Sequence, residues 1–176
     1  MSVVKYNLKS YKMVQINLKN LSKIREKYKG EKIVFCSGSF DLLHPCHIIF
    51  LENCKKLGDI LVVAVGKDLA IKKLKNSSRP ILNEKMRLKM IDSLKIVDYS
   101  LLNKASKKNP FSDIEIIFKK LRPNIYTIKW DTFDIPRRKE LCKKYNIKMA
   151  VLADIYYPKE YENITTTKII EKIKNL

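Results

Sequence analysis

The run Ile60-Leu61-Val62-Val63-Ala64-Val65 constrains this chain more than any other stretch, because it is apolar at every position. A strand with one wet face alternates apolar and polar residues. A strand that does not alternate needs cover on both sides, which is the condition of a parallel sheet flanked by helices. The segments around it have that character. Ile33 to Cys36 is a second short apolar run, and Val97–Leu102, Ile125–Ile128 and Lys148–Leu152 read as three more strands.

Between these runs the apolar residues recur at helical spacing. Leu18 to Lys29 places Leu18, Leu21 and Ile24 on one face and is expected to end at Gly30 as a C-cap glycine. His47 to Leu57 carries Phe50, Leu51, Cys54 and Leu57 on one stripe, closed by Gly58. Glu84 to Leu94 aligns Met86, Met90 and Leu94. Ser112 to Leu121 stops before Arg122-Pro123, as a proline demands. Pro136 to Tyr145 has proline in its first turn, and Thr166 to Ile173 follows Thr165 as N-cap. Lys72–Ser78 reads as a mobile polar loop. Five alternations of strand and helix predict a single-domain, doubly wound α/β fold, with a mostly parallel five-stranded sheet and right-handed crossovers. The expected domain covers 14–176, behind an N-terminal extension of 1–13.

In such a sheet a ligand sits beyond the carboxyl ends of the strands, where the winding direction reverses. Four segments fall on that edge: Gly38–His47, Gly66–Asp68, Trp130–Asp131 and Thr165–Lys168. The first stands out. Gly38-Ser39-Phe40-Asp41-Leu42-Leu43-His44-Pro45-Cys46-His47 joins a strand to a helix start, and its two histidines are the only two in the chain. Free N–H groups and the helix dipole favour an anion there, and two imidazoles can stabilise charge that develops during a reaction. The segment reads as a triphosphate cradle without a Walker lysine.

Composition narrows the partners. The net charge is +19, so a nucleic-acid partner has to be weighed. Only six of the 37 basic residues are arginine, the charge is spread along the chain, and no zinc-finger or RNA-binding aromatic signature occurs. Nucleic acid is therefore not expected as the main partner; the positive field suits an anionic nucleotide and a phosphorylated substrate. Cys36, Cys46, Cys54 and Cys142 lack metal spacing and read as free thiols, so no protein-held metal site is expected. No apolar run approaches the ~18 residues that span a bilayer, and a cytoplasmic location is expected.

The motifs together resemble the cytidylyltransferase-like nucleotidyltransferases. Gly38-Ser39-Phe40-Asp41 with His44-Pro45-Cys46-His47 is similar to that family's G-x-F-D-x-x-H-x-G-H signature. Leu57–Val65, Asp68–Lys75, Arg79-Pro80-Ile81, Arg87 and Val97-Asp98 look like the adenylyltransferase domain of ADP-heptose synthases. Ile164-Thr165-Thr166-Thr167-Lys168-Ile169 is similar to the I-S-T-T-x-I element. The resemblance spans 14–176 and implies a Rossmann-like fold. It implies that the phosphate of a second substrate attacks the α-phosphate of a nucleoside triphosphate and releases pyrophosphate, without a covalent enzyme intermediate.

It also implies site roles. His44, His47, Lys72 and Arg87 would be catalytic, with Lys73 or Lys75 also able to close over the phosphates. Gly38, Ser39, Phe40, Asp41, Asp131, Thr165, Thr166 and Thr167 would join the histidines in binding nucleotide. Asp68, Lys75 and Trp130 would meet the second substrate. Magnesium is implied on the triphosphate, held by substrate and water.

Three positions depart from the pattern. Cys46 stands where the motif has glycine, and Trp130 stands where relatives carry a small or acidic residue. Glu160 replaces an arginine of the cytidylyltransferase branch. The leading expectation is transfer from ATP to a phosphorylated sugar such as a heptose 1-phosphate. The alternatives are a CTP-dependent enzyme that makes a CDP-alcohol from glycerol 3-phosphate or a similar molecule, and a catalytically weak nucleotide-binding protein. A homodimer is left open.

Overall fold

The computed structural model describes residues 16–103, 111–161 and 164–176; the extension expected over 1–13 lies outside them. The chain runs α1 (Leu21–Lys27), β1 (Ile33–Gly38), α2 (Pro45–Lys55), β2 (Ile60–Gly66), α3 (Asp68–Leu74), α4 (Glu84–Asp92) and β3 (Tyr99–Asn103). It continues α5 (Ser112–Leu121), β4 (Ile125–Lys129), α6 (Ile135–Lys144), β5 (Lys148–Leu152), a 3-10 turn (Lys159–Tyr161) and α7 (Thr166–Lys174). The strands pair in the order β3-β2-β1-β4-β5, and all four pairings are parallel. The winding direction reverses at β1, between β2 and β4. This is the Rossmann-like, doubly wound sheet that the alternating pattern predicts.

Successive side chains of a strand leave on opposite faces, and β1 and β2 each feed two cores. Phe35, Val62 and Tyr126 pack with Leu21, Ile117 and Phe118 on one face. Val34, Cys36, Leu61 and Val63 pack with Phe50, Leu51 and Ile91 on the other. Leu61 through Val65 are all fully buried, so the unbroken apolar run has the two-sided cover it requires. Each large side chain so buried contributes roughly 1.5–3 kcal/mol.

The helix boundaries differ from expectation where polar residues sit inside or apolar ones outside. α1 ends at Lys27 with Tyr28 as its C-cap, and Gly30 has no left-handed conformation, so it is not the cap. Gly58 lies beyond the cap of α2 at Lys56, and its role is close approach: a Cβ there would lie 2.6 Å from the Lys32 carbonyl oxygen. α2 begins at Pro45, two residues earlier than expected. The expected loop from Lys72 is helical as far as Leu74; α3 buries only Ile71, which leaves little apolar periodicity to read. In α4 the buried residues are Arg87, Leu88 and Ile91, whereas Met86 is 53% exposed. A charged residue occupies the inner stripe and displaces the methionines from it.

Candidate active site

β1 ends at Gly38, and the turn that follows is held in an unusual shape. Phe40 and Leu42, neither of them glycine, take φ of 48° and 46°. Such residues cost on the order of 1–3 kcal/mol and persist only where the surroundings fix them. Here the surroundings do. The Phe40 ring is buried, and a Cβ on Gly38 would lie 2.9 Å from it, so the glycine makes room for the ring. Between the two strained residues, the buried Asp41 carboxylate accepts the N–H groups of Ile81 (2.9 Å) and Leu82 (3.0 Å). The Asp41 carbonyl accepts the Thr166 hydroxyl at 2.8 Å.

The turn delivers two histidines to the start of α2. His44 is the N-cap residue, yet its side chain caps nothing, which leaves the imidazole free of the helix. His47 lies in the first turn. The rings stack with 3.8 Å between centroids, and Phe40 meets His47 edge-on at 5.6 Å. Neither Nδ1 atom has a hydrogen-bond partner among the described residues. Burial and the Lys129 ammonium hold His44 below the ordinary histidine range. Burial, then His44, Lys129 and Lys75, push His47 down to about 3. Both rings are therefore neutral at pH 7.

They line a cavity of about 490 Å³ at the carboxyl edge of the sheet, a volume suited to one small-molecule site. Gly38, Ser39 and Phe40 form its floor beside them. Across from these, Thr165, Thr166 and Thr167 bring the start of α7 to the wall. The Thr165 side chain accepts the Lys168 N–H at 3.2 Å, and the other first-turn N–H groups are the open donors that any helix start offers. Lys75 and Asp131 complete the set of expected residues on this wall.

The other expected residues have different places. Arg87 is fully buried and off the wall: Nε donates to the Leu82 carbonyl (2.9 Å), and Nη2 donates to the Gly66 carbonyl (2.6 Å) and to Asp68 Oδ1 (2.7 Å). Its Nη1 donates to the Ser39 carbonyl. It is a positioning residue that ties the ends of β1 and β2 to α4, with all three guanidinium nitrogens engaged by the protein. Asp68 is its ion-pair partner, so its carboxylate is spent on Arg87 rather than on substrate. Asp41 is a buried anchor for backbone N–H groups and does not reach the cavity. Lys72 and Lys73 are exposed on α3 and are not part of the wall. Trp130 is 61% exposed and also off the wall, because the turn after β4 turns it outward. Cys46 lines the cavity but donates its thiol to the Tyr161 carbonyl at 3.2 Å, and burial raises its pKa; it is not an activated thiolate.

Several wall residues carried no signal of their own. Lys67 follows β2 and Lys129 ends β4, both at the ligand edge, but lysine is too common in this chain to stand out. Arg138 reaches the cavity from α6, its Nε on the Phe133 carbonyl at 2.8 Å and its Nη1 on the Tyr126 hydroxyl. Phe111 and Phe133 stack at 6.5 Å and 12° on the same wall, with Arg138 5.2 Å over Phe111. Four cations of the wall thus face one carboxylate, Asp131, itself 3.7 Å from Lys129.

Known proteins are similar to this chain in sequence and fold. The family model described as cytidylyltransferase-like matches residues 35–172. A FAD synthase of Aciduliprofundum boonei is 39% identical over 141 residues, which is 80% of this chain and 89% of that protein. The bifunctional protein HldE of Campylobacter jejuni is 34% identical over 176 residues, 96% of this chain but only 34% of that protein. The chain thus spans about a third of the bifunctional relative. Among solved structures, a lipopolysaccharide core biosynthesis protein from Thermoplasma volcanium is 32% identical with a TM-score of 0.59, covering 73% of this chain and 100% of that one. A pantoate-beta-alanine ligase from Francisella tularensis shares the fold alone, at 19% identity and a TM-score of 0.60 over 93% of this chain and 78% of its own. With the two-histidine turn, the reversed winding at β1 and the α7 start meeting at one cavity, these matches place the chain in the cytidylyltransferase-like family, as a nucleotidyltransferase.

Proposed function

We propose that the protein transfers AMP from ATP to the phosphate of a small phosphorylated acceptor. The observation that carries this reading is the stacked, neutral pair His44 and His47, lining the same cationic cavity as the start of α7. The triphosphate lies between them. Thr165–Thr167 take the β- and γ-phosphates on helix-start N–H groups, and Lys75 and Lys129 supply charge. An acceptor phosphate oxygen forms a bond to the α-phosphorus while the bond to the β-phosphate oxygen breaks, and pyrophosphate leaves. The imidazoles donate hydrogen bonds to the α-phosphate as charge shifts toward the leaving group. Catalysis of this kind rests on positioning and charge stabilisation. Magnesium, bound mainly by the phosphates, would neutralise their charge. On the wall, Asp131 is the carboxylate that would face it.

Two acceptors follow from the relatives. The sequence motifs favour a sugar phosphate such as a heptose 1-phosphate, in line with HldE. The FAD synthase relative, which matches over nearly its full length, points instead to a flavin phosphate. The aromatic pair Phe111–Phe133 supports that second reading, because it presents a flat apolar surface on which a ring can stack. Pyrophosphate release, measured with ATP or CTP against heptose 1-phosphate, flavin mononucleotide and glycerol 3-phosphate, tests the assignment. Release with ATP and one of the first two is expected. Release with CTP and glycerol 3-phosphate alone overturns it.

A further inference from the structure

Arg79, unlike Arg87, is a strongly buried cation whose donors stand idle among the described residues. It is 6% exposed. Its Nε lies 3.2 Å from Asp41 Oδ2, yet neither Nε nor Nη2 has a hydrogen-bond partner among the described residues. Idle buried donors are uncommon and call for a reason. The Asp41 oxygens are already taken by the N–H groups of Ile81 and Leu82. Arg79 is therefore held beside Asp41 by charge rather than by directed hydrogen bonds.

The neighbour that explains this is Lys75. It follows α3 as its C-cap residue and lines the cavity. Its ammonium senses two carboxylates, Asp41 and Asp131, and one cation, Arg79; desolvation and Arg79 lower its pKa, and the two carboxylates oppose them. Asp41 is the buried acid that pairs with Arg79 and also acts electrostatically on Lys75. Without Arg79 its charge would be unmatched, and an unmatched buried carboxylate draws in the nearest mobile ammonium. The ammonium on which Asp41 already acts is that of Lys75, and drawn inward it would leave the cavity.

We propose that Arg79 is a positioning residue that neutralises Asp41 so that the Lys75 ammonium stays free for the nucleotide triphosphate. The proposal rests on the nucleotidyltransferase reading of the cavity above, with Lys75 as a phosphate contact. It assigns the two basic residues separate tasks. Lys75 binds, and Arg79 prevents an internal ion pair from competing with binding. Phosphate therefore need not touch Arg79 at all.

ATP affinity of the full chain, measured by calorimetry for wild type, Lys75→Met, Arg79→Met and the double variant, tests this. Each single change is expected to weaken binding about tenfold, the scale of one charge-assisted hydrogen bond. The double variant is expected to be no weaker than the weaker single, because both changes remove one contact. Arg79→Lys keeps a cation beside Asp41 and is expected to bind within about twofold of wild type. Thermal melts run alongside separate misfolding from lost affinity. Losses that add overturn the proposal, and so does a folded Arg79→Met that binds like wild type. If Arg79→Met does not fold, Arg79→Lys decides alone: a folded Arg79→Lys as weak as Lys75→Met overturns it. A wild-type chain that binds no nucleoside triphosphate overturns the underlying reading and this proposal together.

Discussion

The His44 and His47 rings lie in van der Waals stacking at 3.8 Å, both neutral and each with an Nδ1 that has no partner among the described residues. Two imidazoles this close cannot both take up a proton without repulsion, unless an anion arrives. Burial lowers their proton affinity first, and a bound phosphate anion would raise it again. The first prediction is that binding of a nucleoside triphosphate near pH 6.5 is accompanied by net proton uptake. Calorimetry in buffers of different ionisation enthalpy reads this directly. Uptake should vanish in His44→Gln/His47→Gln. The fold gives a second readout. His47 is lowered from 6.5 to about 3, so between those values the unfolded chain binds the proton that the native chain refuses. Stability should fall as pH drops through that window, and His47→Gln should flatten the fall. In turnover, either histidine to alanine should lose roughly 10²–10³-fold.

Arg87 yields a prediction about stability. It is fully buried, and its loss would leave the carbonyls of Ser39, Gly66 and Leu82 and the Asp68 carboxylate without their donor. Breaking one partner of such a buried charged set costs about 3–5 kcal/mol. Arg87→Met should therefore lower the denaturation midpoint sharply, and Arg87→Lys should not restore it, because an ammonium cannot reach acceptors on three segments. Full stability with lost ATP binding would instead make Arg87 a ligand.

Three glycines predict a graded series. A methyl group on Gly58 would lie 2.6 Å from the Lys32 carbonyl oxygen, which is backbone and cannot swing away. Gly58→Ala should destabilise the fold by about 1–3 kcal/mol, with the site otherwise intact. Gly38→Ala would press on the Phe40 ring at 2.9 Å, and through it on His47; turnover should suffer beyond the loss in stability. Gly66→Ala meets its nearest neighbour at 3.6 Å, ordinary contact, and should be tolerated. Urea unfolding and pyrophosphate release on all three variants check the order.

On the acceptor side, the prediction separates two aromatic residues three apart. Phe133 is 55% exposed, on the wall and stacked against Phe111; Trp130 is 61% exposed and off the wall. Phe133→Ala should raise the acceptor KM several-fold with ATP affinity unchanged, since a ring contact of this kind is worth ~0.5–1.5 kcal/mol. Trp130→Gly should change neither. An altered acceptor profile in the Trp130 variant would return that residue to the site.

Periodicity made the sheet legible, because a strand buried on both faces has no alternative pattern to hide in. Leu61–Val65 announced the two-sided core, and Thr165 announced the start of α7. Side-chain allegiance was not legible. Asp41, Asp68 and Arg87 sit in or beside the motifs, and sequence position alone does not distinguish a charge that faces a ligand from one that faces a backbone carbonyl. The structure spends all three on the protein itself. Phe133 and Arg138 were missed for the opposite reason: each lies on a segment with no motif, and only the packing of α5 and α6 against β4 brings them to the wall. α3 went unread because a helix that buries one residue, Ile71, leaves no stripe.

The Thr166 hydroxyl bonds the Asp41 carbonyl across 125 positions of sequence. During synthesis, β1, α2 and β2 emerge early and can pair at once, yet the histidine turn they carry has no opposite wall until the α7 start emerges. A nascent chain has β1 and β2 long before it has both walls of the nucleotide pocket. The two walls of the pocket are therefore joined only once the last helix is made.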